Sequence, residues 1–142
     1  MPQTQHAGES RFERGTRALS EIDGKAGAAV ISALADIAPD FARYVIEFPF
    51  GDIYSRPGLD LRSREIATIA ALTAMGTATP QLKVHIEAGL NVGLGREEVI
   101  EVIIQMAVYA GFPAALNGLF AAKEVFARLD MENGASGREQ AA

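Results

Sequence analysis

Glycine and proline fall along this chain at intervals that leave room for helices and for little else. Between the breaks at Gly24, Pro39, Pro57-Gly58, Gly76, Pro80, Gly93, Gly111 and Pro113, apolar residues recur at helical spacing. No segment keeps the strict alternation of a half-buried strand. An all-helical domain follows. Ser10 with Glu13 has capping-box spacing and opens a helix running to about Ile22. The pattern predicts further helices over Lys25 to Ile37, Asp40 to Phe50, Leu61 to Met75, Pro80 to Val92, about Gly95 to Ala110, and Pro113 to Leu129. Asp60 is placed to cap the fourth, Gly76 to stop it, and Thr79-Pro80 to cap and restart the chain as the second arm of a hairpin.

Composition shifts at both ends confine the folded part to residues 10–130, with mobile tails expected over 1–9 and 131–142. A 142-residue chain with 49% hydrophobic and 22% charged residues can build one core without staples. Its formal charge of -5 has the wrong sign for tracking phosphates, so no nucleic-acid partner is expected. The chain has no cysteine, which excludes thiol peroxidase and disulfide chemistry. The first thirty residues hold no apolar leader, and no apolar run is long enough to span a bilayer; a cytoplasmic protein without a membrane partner is the expectation. Between Val99 and Ala110 only Glu101 and Gln105 are strongly polar, so that helix needs cover on several sides, from the core or from another subunit.

Two residues break the apolar pattern. Glu65 falls in the stripe Leu61, Thr68, Ile69, Leu72, where a carboxylate must be paired and its proton affinity tends to rise. An ion pair with Arg62, Arg64 or a distant arginine is the ordinary explanation; a functional acid or base is the other. His85 lies at the margin of the face formed by Leu82, Ile86, Gly89 and Leu90. Packing of the hairpin turns each residue toward the other's helix. Glu65 is near the start of one arm and His85 mid-way along the other, which leaves open whether they meet within one subunit, through a water or across an interface. The remaining histidine, His6, is in the N-terminal tail, and no carboxylate-histidine repeat of the di-iron type occurs, so no metal is expected. Tyr109 and Asn117 flank a helix break at Gly111-Phe112-Pro113, a place suited to lining a pocket or simply to packing.

The run Leu82-Lys83-Val84-His85-Ile86-Glu87-Ala88-Gly89-Leu90-Asn91-Val92-Gly93, and the run from Glu97 to Ala115 containing Gln105, Tyr109, Gly111 and Pro113, resemble the carboxymuconolactone decarboxylase family, relatives of the alkylhydroperoxidase D proteins. With Ser63-Arg64-Glu65, the resemblance covers Phe12 to Arg128. It implies a compact bundle of six to seven helices built on the hairpin, assembled as a trimer or hexamer. It also implies a choice of chemistry: the peroxidase branch carries a cysteine pair ahead of the histidine, where Ala78 and Gln81 stand here. The decarboxylase branch keeps only the histidine, matched by His85. The implied reaction converts a carboxylated lactone of the 4-carboxymuconolactone type to an enol lactone in aromatic-compound breakdown. Its electron sink lies within the substrate, so no cofactor is needed. His85 and Glu65 are then the catalytic candidates, and Tyr109 and Asn117 the substrate-binding ones; Arg43, Arg56, Arg62 and Arg64 are available for a substrate carboxylate. Glu65 matches the peroxidase branch better, and Asn117 stands one place later than the family's asparagine, which leaves the substrate open. A lyase or isomerase on another small carbonyl acid, and a non-catalytic oligomer that binds a small molecule, are the alternatives.

Overall fold

A computed structural model describes residues 8–140, so the expectation of an N-terminal tail over 1–9, and His6 with it, falls almost wholly outside the described residues. The described chain forms seven α-helices and no strand: α1 (Arg11–Ile22), α2 (Gly24–Leu34), α3 (Pro39–Val45), α4 (Leu61–Met75), α5 (Thr79–Asn91), α6 (Arg96–Ala110) and α7 (Phe112–Gln140). The capping signals act as read. Ser10 Oγ accepts from the Glu13 N–H while the Ser10 N–H donates to Glu13 Oε2, and Asp60 Oδ1 accepts from the Ser63 N–H at 2.8 Å. Gly76 ends α4 in the left-handed conformation.

Three boundaries differ from the sequence expectation. α2 stops at Leu34, three residues early, because the residue before a proline avoids helical geometry, and Ala38 is turned out of the helix ahead of Pro39. α3 does not end at Phe50 but runs into a π-helical segment, Ile46–Tyr54, that contains Pro49. A proline inside a helix lacks a donor and crowds the preceding turn, and a wider turn relieves that crowding. Carbonyls of this segment are taken up by side chains: Arg14 Nε donates to Gly51 O and Ser55 Oγ to Phe50 O. The third difference is α7, which continues through 131–140, the stretch read as an aperiodic tail. Its Glu, Ala, Arg and Gln residues favour helix, and Arg128 pairs with Glu132 one turn on.

Two apolar clusters hold the bundle. One joins α4, α5, α6 and α7 through Ile69, Leu82, Ile86, Val99, Ile103 and Val125. The other joins α1 to the π segment through Leu19, Ile22, Ile46 and Phe50, with Ala88 reaching it from α5. In that second cluster backbone approaches backbone: a Cβ on Gly15 would lie 2.0 Å from Ile46 O, and one on Gly51 2.6 Å from Arg11 O. Helix α5 therefore separates the two clusters, and residues on its flank look toward both.

Candidate active site

Glu65 is wholly buried in the second turn of α4, and its partner is His85 of α5, with Nδ1 3.0 Å from Oε2. The contact is direct and within one chain, so neither a bridging water nor a second subunit is needed. The arginine explanation for Glu65 fails at the two nearest candidates. Arg62 pairs with Glu98, and Arg64 donates to the carbonyls of Leu59 and Arg56.

A third group completes the cluster. Asp23, 4% exposed, sits at the junction of α1 and α2, and one ligating atom from each of Asp23, Glu65 and His85 lies within 4.8 Å of the others. Two of their oxygens, Asp23 Oδ1 and Glu65 Oε1, are buried without a hydrogen-bond partner. Sequence reasoning missed Asp23 because an acid before a glycine at a helix break is ordinary turn chemistry. The packing around it is specific all the same: a Cβ on Gly27 would stand 2.5 Å from Asp23 Cβ, so only glycine there leaves the carboxyl its place.

Burial pushes Asp23 up to about 6, and the charges of Glu65 and Glu87 add to the rise against the opposing charge of His85. For His85 burial works downward, but the hydrogen bond and charge of Glu65, with the charge of Asp23, outweigh it and hold the imidazole above its ordinary range. Tyr54 is the outer neighbour. Burial, reinforced by the charge of Glu65, pushes its phenol to about 12, so it stays neutral. Its hydroxyl lies 2.6 Å from Thr68 Oγ1, which donates onward to Arg64 O, making Tyr54 the donor of the pair.

Asp23 and His85 both border a cavity of about 430 Å³ whose remaining walls are mainly apolar, from Leu19, Val30, Ile31, Phe41 and Phe50. Gln81 and Pro80, at the start of α5, line it too. Glu65 does not; it stands behind His85. The chemistry available is that of a mainly apolar pocket with an imidazole and a carboxyl at its edge, both holding their protons more tightly than in water. The same three groups are donor types that a divalent cation accepts, which the sequence expectation of no metal did not foresee because it counted histidines and not this carboxylate pair. Tyr109 and Asn117 are not brought to the cavity of their own chain; both are exposed, Tyr109 at 78%. Of the four arginines offered for a substrate carboxylate, none borders the cavity, and Arg43 is paired with Glu47.

The described chain is an all-α bundle whose α4–α5 hairpin buries a glutamate–histidine pair, with His85 at the edge of a mainly apolar cavity. The carboxymuconolactone decarboxylase family matches residues 39–124, and the chain belongs to that family. It is similar to the 4-carboxymuconolactone decarboxylase of Acinetobacter baylyi, with 34% identity over 119 residues that make up 83% of this chain and 88% of that one. An uncharacterised 15.0 kDa protein of Paracoccus denitrificans is 35% identical over 70% of this chain and 75% of its own. The nitrosuccinic acid decarboxylase of Metarhizium robertsii is 27% identical over 76% of each. The named relatives support decarboxylation, a carboxy-lyase kind of activity, as the function of this chain. No helix among the described residues is long and apolar enough to cross a membrane.

Proposed function

We propose that the protein is a cofactor-free decarboxylase of carboxylated lactones of the 4-carboxymuconolactone type, working in the breakdown of aromatic compounds. The observation that carries the reading is the buried Glu65–His85 pair at the edge of an apolar cavity, in a chain 34% identical to a decarboxylase of that lactone. In such a substrate the pair of electrons released with carbon dioxide passes through the ring double bond to the lactone carbonyl. The protein has only to desolvate the departing carboxylate, stabilise the oxygen that gains charge, and return a proton to carbon. His85, held protonated by Glu65, is suited to meet that oxygen, and it is the positive group at the cavity's edge. The similarity to a nitrosuccinic acid decarboxylase favours a second substrate class, small acids whose nitro group is the sink; the same residues serve it.

The reading includes self-association. Ile104, Val108 and Tyr109 of α6 and Phe112, Leu116 and Phe120 of α7 are all exposed, and an apolar surface of this kind is normally covered. A trimer or hexamer that buries it would also take Tyr109, with Asn117 beside it, out of solvent. Light scattering should give a mass well above 15.1 kDa.

The direct test is loss of lactone absorbance on incubation with 4-carboxymuconolactone. Turnover should fall by roughly two to four powers of ten in His85→Ala, the usual span for removing a group that handles the proton. Glu65→Gln keeps the shape, removes the charge and should lower the pH at which His85 loses its proton. If folded His85→Ala turns over normally, His85 is not catalytic.

A further inference from the structure

We propose that Asp23 is the acid that delivers the proton to carbon, while His85, backed by Glu65, faces the oxygen that gains charge. The inference rests on the decarboxylase reading and divides its chemistry between two side chains.

Geometry makes the division. Of the three clustered groups only Asp23 and His85 border the cavity, so Glu65 can act on the substrate only through His85. His85 Nδ1 is committed to Glu65 Oε2. Asp23 Oδ1 is committed to nothing, although the residue is 4% exposed. A buried carboxyl oxygen without an internal partner is costly to keep unless it carries a proton or meets a ligand. The ionisable groups near enough to act electrostatically on Asp23 are Glu65 from α4, His85 and Glu87 from α5, and Tyr54 from the π segment. Two carboxylates against one imidazolium favour a proton on the acid nearest the cavity, and burial already raises Asp23 to about 6. A neutral acid at this point also avoids repelling an incoming substrate carboxylate. Gly27 secures the placement, since any larger residue would displace Asp23 Cβ.

The step balances without a co-reactant. The bond from the ring carbon to the carboxylate breaks and carbon dioxide leaves; its electron pair moves through the double bond to the carbonyl oxygen, giving a dienolate. The O–H bond of Asp23 then breaks as a C–H bond forms at the carbon next to the carbonyl, the pair on oxygen returning to make the carbonyl. Asp23 is left as a carboxylate and regains its proton from water, so one proton is consumed for each carbon dioxide released.

Asp23→Asn is the variant to make, because an amide is close in shape to the protonated acid. In infrared difference spectra of wild type minus variant, the carbonyl stretch of a protonated carboxyl should be present and titrate away near pH 6. This measurement needs no substrate, and absence of the band overturns the proposal. With 4-carboxymuconolactone in D2O, wild type should place deuterium on one face of the new methylene carbon. The variant should turn over roughly 10² to 10⁴ times more slowly and label both faces. The fall of kcat/KM above about pH 6 should disappear with it. Face-specific labelling at a near-normal rate in Asp23→Asn overturns the proposal. So does stoichiometric binding of Zn²⁺ or Mn²⁺ to wild type that the variant loses, because Asp23 is then a ligand and not an acid. A wild type inert toward the lactone refutes the substrate reading instead, and the infrared band still decides whether Asp23 stores a proton.

Discussion

The two sides of α5 are built on opposite plans. Toward α4, α6 and α7 it presents Leu82, Ile86 and Gly89 to a cluster in which Ile69, Val99 and Ile103 are wholly buried and apolar side chains meet on all sides. Toward α1, α2 and the π segment it presents His85 and Ala88 to a cluster of Leu19, Ile22, Ile46 and Phe50 with close backbone approaches at Gly15 and Gly51, bordered by an open cavity. The difference teaches where a small helical protein can keep ionisable groups. The first side is filled by large apolar side chains, whereas the second leaves a cavity beside its core, and Asp23 and His85 border that cavity with Glu65 behind them.

Truncation should separate the two sides sharply. Ile103→Ala should destabilise the fold by about 2–5 kcal/mol, the range for a wholly buried isoleucine that leaves a cavity. Val30→Ala, in the open cavity wall, should stay within about 0.5 kcal/mol, since Val30 is already 40% exposed. Chemical denaturation measures both. Equal losses would break the comparison.

Stability against pH should sharpen it further, because the buried ionisable groups Asp23, Glu65 and His85 cluster on one side. Asp23 is raised from 3.8 to about 6, so its contribution is complete below pH 4 and is lost as pH rises through 6. By linkage that contribution is up to about 3 kcal/mol. His85 is also raised, so its share is present below about 6.5 and is lost as pH rises through its higher folded value. Both slopes run the same way. The wild type should therefore become less stable from pH 5 to pH 9, and Asp23→Asn should lose the part of that slope near pH 6.

The same contrast decides what could be read from the sequence. The hairpin was legible because strong helix formers from Leu61 to Met75, a glycine stop and a proline restart leave one way to pair α4 with α5, and periodicity then turns Glu65 and His85 inward. Direct contact between them was not legible, since residue spacing gives a face and not the axial offset of two helices. The N-terminal side was harder. The pattern stops a helix at Phe50, yet the chain runs on through Pro49 and Gly51 in a π turn, with Arg14 and Ser55 taking up the carbonyls of Gly51 and Phe50. Asp23 was invisible for a related reason: its role depends on α5 and α4 arriving beside it, and nothing in Ile22-Asp23-Gly24 announces that. Tyr109 and Asn117 flank a helix break, and a helix break does not say whether a residue serves its own chain's cavity or a surface.

Gly27 tests the same side where it meets Asp23. Gly27→Ala sets a methyl 2.5 Å from Asp23 Cβ and 3.0 Å from a Leu19 methyl, and overpacking of this kind destabilises by about 1–3 kcal/mol. The displaced group is an acid, so the substitution should also move the infrared titration of Asp23, whereas Ile103→Ala should leave it in place. A Gly27→Ala protein with unchanged stability and titration would mean that Asp23 is not held by this contact.

The smallest effect belongs to a region outside both clusters. Residues 131–140 of α7 are helical but exposed throughout, so they bury no apolar face, and helices of that length gain little from propensity alone. The link that leaves this stretch is the Arg128–Glu132 pair, worth about 0.3–0.5 kcal/mol on an exposed helix. Arg128 keeps its other partner, Glu87 of α5, and the Arg96–Asp130 pair lies before the cut if the chain is ended after Asp130. That truncation should therefore lower stability by no more than about 0.5 kcal/mol and remove a few residues of helical circular dichroism, leaving turnover unchanged. A larger loss would show that the exposed turns pack against something in the assembled protein, and would make the end of α7, with the apolar surface of α6 and early α7, part of one subunit interface.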